Sequence, residues 1–287
     1  MDWSYLTLCI LNAHFSYTAT ILNIVTIYAI VKTSSLSKNF KTLLLSLTVS
    51  DLGVGSLALP LFAAYIMDSK QNNETMNKSY NAIFIAFHTP THIFISASLF
   101  SVTALCADRY LAIYLHLRYQ ELVTYKRVTI AVTSIWVFSA LTPLFSFWIP
   151  TNIMFVYYAI RDFSCIITAT SLSVKLKQTL RRHITQIQIP QEAQNRQVES
   201  VQRNRKSAMA SLYVYLVFIV CYLPSICVSI TSATISEPRN YLQHLRLYTV
   251  TLMFLNSTLN PLIYCWKMKQ IRKTVTGKLR DVFSRHS

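Results

Sequence analysis

The sequence predicts an all-α membrane protein: a seven-transmembrane helix bundle followed by a C-terminal amphipathic interfacial helix. Three observations carry this. The 287 residues are 53% hydrophobic and only 13% charged, with a mean hydropathy of +0.36, whereas soluble domains carry about 25% charged residues. Seven apolar stretches reach the ~20 residues that a helix needs to cross a bilayer. The connections between them alternate between basic-rich and basic-poor. Only 3 glycines occur, too few for a sheet rich in tight turns, and lipid leaves an open chain no choice but helix.

The spans fall at 6–31, 42–67, 80–114, 128–149, 153–175, 208–234 and 244–266, with the amphipathic helix at 267–285, in a single domain 1–287. The first stretch has no basic region before it and is long enough to span, so it reads as an uncleaved insertion signal. Segments 32–41, 115–127, 175–206 and 267–287 hold 3, 3, 8 and 7 basic residues, against 0, 2, 0 and 2 in 1–5, 68–79, 150–152 and 235–246. Basic connections stay in the cytoplasm, which puts the N-terminus outside the plasma membrane and the C-terminus inside. Two N-glycosylation sequons, at Asn73 and Asn77, fall on the predicted outer face. The net charge of +16 is spread over these connections and reads as topology, not as a nucleic-acid surface. All 6 cysteines lie within spans, so no outer-loop disulfide and no zinc spacing is expected.

Three polar features interrupt the spans. Asp108-Arg109-Tyr110 sits at the cytoplasmic end of the third, Asp51 lies roughly 14 Å from the inner end of the second, and Asn260-Pro261 lies near the inner end of the seventh. A charge inside lipid is costly, so each is a functional candidate by default. Arg109 can pair with Asp108 or reach a cytoplasmic cleft, and proline removes a backbone bond and permits a kink.

With these motifs the sequence resembles the rhodopsin-like G-protein-coupled receptors. Asp108-Arg109-Tyr110 and Asn260-Pro261-Leu262-Ile263-Tyr264 match their third- and seventh-helix motifs. Asn23, Asp51, Trp136 and Cys221-Tyr222-Leu223-Pro224 match further signature positions. The resemblance covers nearly the whole chain. Departures point to the cannabinoid, lysolipid and melanocortin-like branch. Phe84 stands near the usual cysteine, the second outer loop shrinks to about 150–152, Cys165 replaces the fifth-helix proline, Ser173 replaces its inner tyrosine, Tyr222 replaces the sixth-helix tryptophan, and His116 replaces a common proline.

The resemblance implies roles. Asp108, Arg109, Tyr110, Leu117 and Tyr264 couple to a heterotrimeric G protein. Leu99, Phe218, Tyr222, Pro224, Asn260 and Pro261 form the activation switch. Asp51, Ser98, Asn256, Ser257 and Asn260 form a pocket suited to a sodium ion, a hard cation that takes oxygen ligands. Arrestin is a further implied partner. Relatives lock the arginine with a carboxylate on helix six; here that region reads QRNRKSAM, which leaves the lock on Asp108 alone and predicts appreciable basal activity. Plainer readings stand beside these: Arg109 snorkelling to the interface, Asp51 as a protonated or hydrogen-bonded carboxyl, Leu99 and Phe218 as ordinary core, and Leu117 as an interfacial anchor.

Arg161-Asp162 is the least expected pair, near mid-membrane in the fifth span. Either Arg161 faces the ligand cavity and binds an acid or polar head group, or the two pair with one another against a neighbouring helix. His88 and His92 are spaced i, i+4 and share a face, lining the cavity or packing helices. Thr91, Ile95, Ser225 and Val250 complete the candidate lining. Thr91 stands where amine receptors carry an Asp, Phe254 where opsins carry a lysine, and Leu61, Phe84 and His88 where melanocortin receptors carry acids. The extracellular ligand is therefore left unnamed. The tail sets Ile271, Val275, Leu279, Val282 and Phe283 on one stripe amid Lys and Arg, a pattern that lies on anionic membrane lipid. The expected function is a non-enzymatic signalling receptor. A transporter or channel would show repeats or broken helices, and a decoy or constitutively active receptor without its own ligand is the further alternative.

Overall fold

A computed structural model of the chain describes residues 3–71, 82–115, 118–145, 148–149, 151–186, 194–234 and 239–284. The long helices are α1 (Trp3–Lys32), α2 (Lys38–Gly53, a π-turn at Val54–Ala58, then Leu59–Gln71), α3 (Ala82–Tyr114), α4 (Tyr125–Phe145), α5 (Thr151–Gln186), α6 (Gln194–Thr234), α7 (Arg239–Lys267) and α8 (Lys269–Ser284). A single helical turn, Tyr119–Leu122, joins α3 to α4. No strand occurs among the described residues. The sequons at Asn73 and Asn77, and Leu117, lie outside the described residues, as do the side chains of Leu279, Val282 and Phe283.

Seven helices make one bundle. α3 is its centre and packs against α2, α4, α5 and α6; α1 closes against α2 and α7, and α6 lies along α7. Leu99, Leu105, Phe218, Phe254 and Tyr264 fill the middle with essentially no exposure. Large apolar side chains such as Ile24, Ile130, Ile160, Val220 and Leu262 face outward, the reverse of a soluble protein and the surface that lipid requires. Length and hydropathy alone mark α1, α2 to Asp68, α3, α4 and Ser207–Ser232 of α6 as able to cross a membrane. α5 carries the Arg161-Asp162 pair and α7 the Asn256-to-Asn260 run, both buried inside the bundle.

Several boundaries differ from the sequence expectation. α4 stops at Phe145, where the Trp148 amide N–H turns back onto the Phe145 carbonyl at 3.2 Å, ahead of Pro150. α5 and α6 continue well past the apolar stretches, because hydropathy marks where lipid ends and not where helix ends. Many hydroxyls in the spans are satisfied locally: Thr26, Thr48 and Thr103 each donate to the carbonyl four residues back, which makes them tolerable in lipid.

The π-turn was not foreseen. It follows Asp51 by one turn and re-registers the outer half of α2. Two glycines allow the close packing around it. A Cβ on Gly53 would sit 2.3 Å from the Phe94 ring, and one on Gly55 would sit 2.9 Å from the backbone nitrogen of Thr20. The Ser16 hydroxyl donates to the Gly55 carbonyl at 2.7 Å. Polar ties then fix neighbours: Asn23 donates to the Ser257 carbonyl at 3.0 Å, and the Trp136 indole N–H donates to Ser46, itself 2.9 Å from Ser101 on α3. α8 turns along the inner face and packs on α1 and α7, with Ile271 fully buried and the Thr33 and Thr274 hydroxyls 3.1 Å apart.

Candidate functional site

Three polar clusters lie along the bundle axis. At the inner end, Arg109 is 4% exposed and turned into the bundle, not snorkelling. Its Nε donates to Asp108 Oδ2 at 2.9 Å, and Nη2 closes a second bond to the same oxygen. Nη1 donates to Ser207 Oγ on α6 at 3.2 Å, and the guanidinium lies 4.3 Å over the Phe40 ring of α2. The expectation that the lock rests on Asp108 alone is therefore corrected: a serine hydroxyl joins α3 to α6. Nothing in the sequence marks a neutral serine as the partner of a guanidinium, because it carries no opposite charge. Asp108 accepts a further bond from the Tyr119 hydroxyl. Burial and the adjacent carboxylate push the Tyr119 phenol up to about 12, since both oppose a second negative charge. Tyr110 stacks on Tyr114 at 5.4 Å.

In the middle, Asp51 is fully buried. Oδ1 accepts from Ser257 at 2.9 Å and from Ser98 at 3.3 Å, and Oδ2 accepts from Asn260 Nδ2 at 2.8 Å. Four of the five expected residues thus meet. Asn256 is equally buried, but its amide makes no bond to Asp51; both of its polar atoms, the Asn260 Oδ1 and the Tyr264 hydroxyl are buried without partners. Phe218 stacks on Tyr222 at 4.0 Å, next to fully buried Leu99. Pro224 and Pro261 lie within α6 and α7. Tyr264, one turn beyond Asn260, is 1% exposed and belongs to the core here. Among the described residues no three His, Cys, Asp or Glu side chains cluster as metal ligands.

In the outer half, Arg161 and Asp162 are both buried and pair at 2.7 Å. Arg161 Nη1 reaches Ser96 on α3 at 2.6 Å, and the guanidinium lies 4.8 Å over the Tyr158 ring. The two residues start about 100° apart on the helix, and the long arginine side chain folds back to close the gap. His92 stacks on Tyr158 at 3.8 Å and lies 4.2 Å from His88, which stacks on Phe84 at 5.1 Å. Thr91 and Ile95 are buried on the same helix, while Ser225 and Val250 are half-buried on α6 and α7. Arg246 lies one turn before Val250 on α7.

Comparison with known proteins places this geometry. The sequence matches the family described as 7 transmembrane receptor (rhodopsin family) over residues 22–181 and 144–264. The chain belongs to that family. The receptor is 28% identical over 262 residues to melanocortin receptor 4 of Danio rerio, covering 88% of this chain and 77% of the relative. It is 26% identical over 312 aligned positions to adenosine receptor A2a of Canis lupus familiaris, covering 98% and 73%. Human melanocortin receptor 5 is 27% identical over 260 residues, covering 88% and 78%. The receptor is thus a rhodopsin-like G-protein-coupled receptor near the melanocortin branch, and a multi-pass membrane protein.

Proposed function

We propose that the receptor lies in the plasma membrane with its N-terminus outside. An extracellular ligand held in the outer half drives α6 away from α3, so that Arg109 is released to a heterotrimeric G protein. One observation carries this reading: Arg109 bonds both Asp108 on its own helix and Ser207 on α6. Any outward movement of the inner end of α6 must break the second bond and free the guanidinium. A ligand shifts such a two-arrangement bundle by its differential affinity for the two states.

The Asp51 cluster supports a regulatory role for sodium. Asp51, Ser98 and Ser257 supply oxygens already gathered by α2, α3 and α7, and the unpartnered Asn256 and Asn260 oxygens add acceptors beside them. A bound sodium ion would neutralise the carboxylate and favour the closed bundle. Asn256 stays in the proposed set through its orphaned amide alone. Leu117 and Tyr264 extend the coupling surface, and arrestin would dock to the same opened cleft. The basic, exposed face of α8 fits anionic lipid.

The test is G-protein dissociation in cells expressing the wild type and Arg109→Ala at matched surface levels. The variant should lose basal and ligand-driven signal. Unchanged coupling in Arg109→Ala would overturn the assignment.

A further inference from the structure

The lipid-facing side of α1 carries two polar rings where hydrocarbon offers them nothing. His14 and Tyr17 are both exposed on the outside of the bundle, Tyr17 by 70%. Tyr17 lies midway along the 30 residues of α1, so roughly 20 Å of helix separates it from either end. Tyrosine belongs near the membrane surfaces, where its hydroxyl reaches water; at mid-span it does not. Among the described residues neither the phenol nor the imidazole makes a hydrogen bond, and the His14 ring meets Phe15 at 6.2 Å. Ionisable side chains inside a membrane almost always face the bundle interior or a partner. This pair faces away from its own bundle.

The two sit in a continuous stripe. Ile10, His14, Tyr17, Ile21, Ile24 and Tyr28 are all exposed and alternate in steps of four and three, the spacing of a helix that lies along a second, parallel helix. The surface beside the stripe is open. A groove of about 570 Å³ runs between α1 and α2, lined by Ser16, Thr20, Ser56, Pro60 and Ala63 next to Tyr17. Small and hydroxyl side chains let membrane helices approach closely. The groove lies at the depth of Tyr17, because the Ser16 hydroxyl donates to the Gly55 carbonyl at 2.7 Å.

Depth selects the occupant. A lipid chain has no donor or acceptor at mid-membrane, and headgroups and sterol hydroxyls lie at the surface. A second copy of the receptor is inserted the same way up. A two-fold axis along the membrane normal therefore brings equal depths together, and each residue pair occurs twice. His14 and Tyr17 are three residues apart, about 4.5 Å of rise. Side chains on a helix lean toward its N-terminus, so Tyr17 of one α1 leans to the level of His14 on the other. At the roughly 8–10 Å between packed helix axes, the phenol donates and a neutral imidazole nitrogen accepts. The stripe thus carries its own complement, one donor and one acceptor a turn apart.

We propose that the outer face of α1 is the contact surface of a two-fold receptor dimer. The Tyr17 phenol of each copy donates to the His14 ring of the other, and the second α1 lies along the groove beside Thr20 and Ser56. This goes beyond the signalling reading and needs only the membrane-embedded bundle.

The test is resonance energy transfer between donor- and acceptor-tagged full-length receptors in cell membranes, titrated over surface density. Wild-type association should rise with density. Tyr17→Phe removes one oxygen and His14→Leu the ring nitrogens, both on a face that is exposed in the single copy, so the bundle core is untouched. Each variant paired with itself loses both reciprocal bonds and should need at least about a fivefold higher density for half-association. The double variant should be no weaker than either single one. Donor-tagged His14→Leu mixed with acceptor-tagged Tyr17→Phe keeps one bond and should associate more tightly than either variant with itself, a recovery that neither misfolding nor an altered lipid contact gives. Val220→Leu, on the outer face of α6, should behave as wild type. No density-dependent transfer in the wild type, unchanged association of Tyr17→Phe, or no recovery in the mixture would overturn the dimer.

Discussion

Ser207 ties α6 to Arg109 through a neutral oxygen, where a carboxylate would tie it with a full charge. A hydrogen bond to a charged group contributes ~1.5–3 kcal/mol, so its removal shifts the balance between closed and open bundles. Ser207→Ala should raise basal G-protein dissociation severalfold, and Ser207→Glu should lower it below wild type, at equal surface expression. Tyr119 gives a pH signature at the same place. Its phenol is neutral when protonated, and its folded value of about 12 lies above the ordinary value of 10.0. The folded state therefore holds that proton more tightly. The stabilisation is fully present below pH 10 and is lost as pH rises through about 12. In thermal unfolding, the advantage of wild type over Tyr119→Phe should be constant from pH 7 to 9 and shrink between pH 10 and 12, where the phenol ionises beside Asp108. A difference that stays flat across that window would remove Tyr119 from the network.

α2 shows how an element is shaped by its neighbours. Its π-turn begins three residues after Asp51 and depends on α1 and α3 approaching Gly55 and Gly53. A Cβ on Gly55 meets the backbone nitrogen of Thr20 at 2.9 Å and the Ala19 Cβ at 3.0 Å, atoms that move only if α1 moves. Overpacking of this kind costs ~1–3 kcal/mol. Gly55→Ala should lower the unfolding midpoint and surface yield, whereas Gly277→Ala should not, since nothing lies within 4 Å of a Cβ there. Gly277 sits inside α8 and its replacement should stabilise that helix by about 1 kcal/mol. α8 itself is held by Ile271, Met268 and the Thr33–Thr274 contact, so protein packing fixes it before lipid does.

For the whole molecule, Asp51 joins α2, α3 and α7 through one buried carboxylate. Asp51→Asn keeps the size and removes the charge. Basal signalling in membranes should then become insensitive to exchanging sodium for a larger organic cation, whereas the wild type should be suppressed by sodium. Retained sodium sensitivity in Asp51→Asn would place the ion elsewhere. The bundle and much of the polar axis were legible before any coordinates. Apolar length, the alternation of Lys and Arg and the order of the signature residues are local properties of the chain. The meeting of Asp51, Ser98, Ser257 and Asn260 is what the family resemblance implied. The partners Ser207, Tyr119 and Ser96 sit on other helices, and nothing beside them in the chain marks them as partners.

The sequence by itself determined that this chain is a lipid-embedded helix bundle and which charged residues lie inside it, because burial in hydrocarbon restricts composition and backbone pairing residue by residue. The tertiary structure alone decided what those charges touch. It set Arg109 against a neutral serine, tied Arg161 back to Asp162 and Ser96, and buried polar atoms of His88, Thr91 and His92 on α3 without partners. Helix rotation and depth fix such contacts, and they depend on how ridges of several helices settle together, a property no single segment carries.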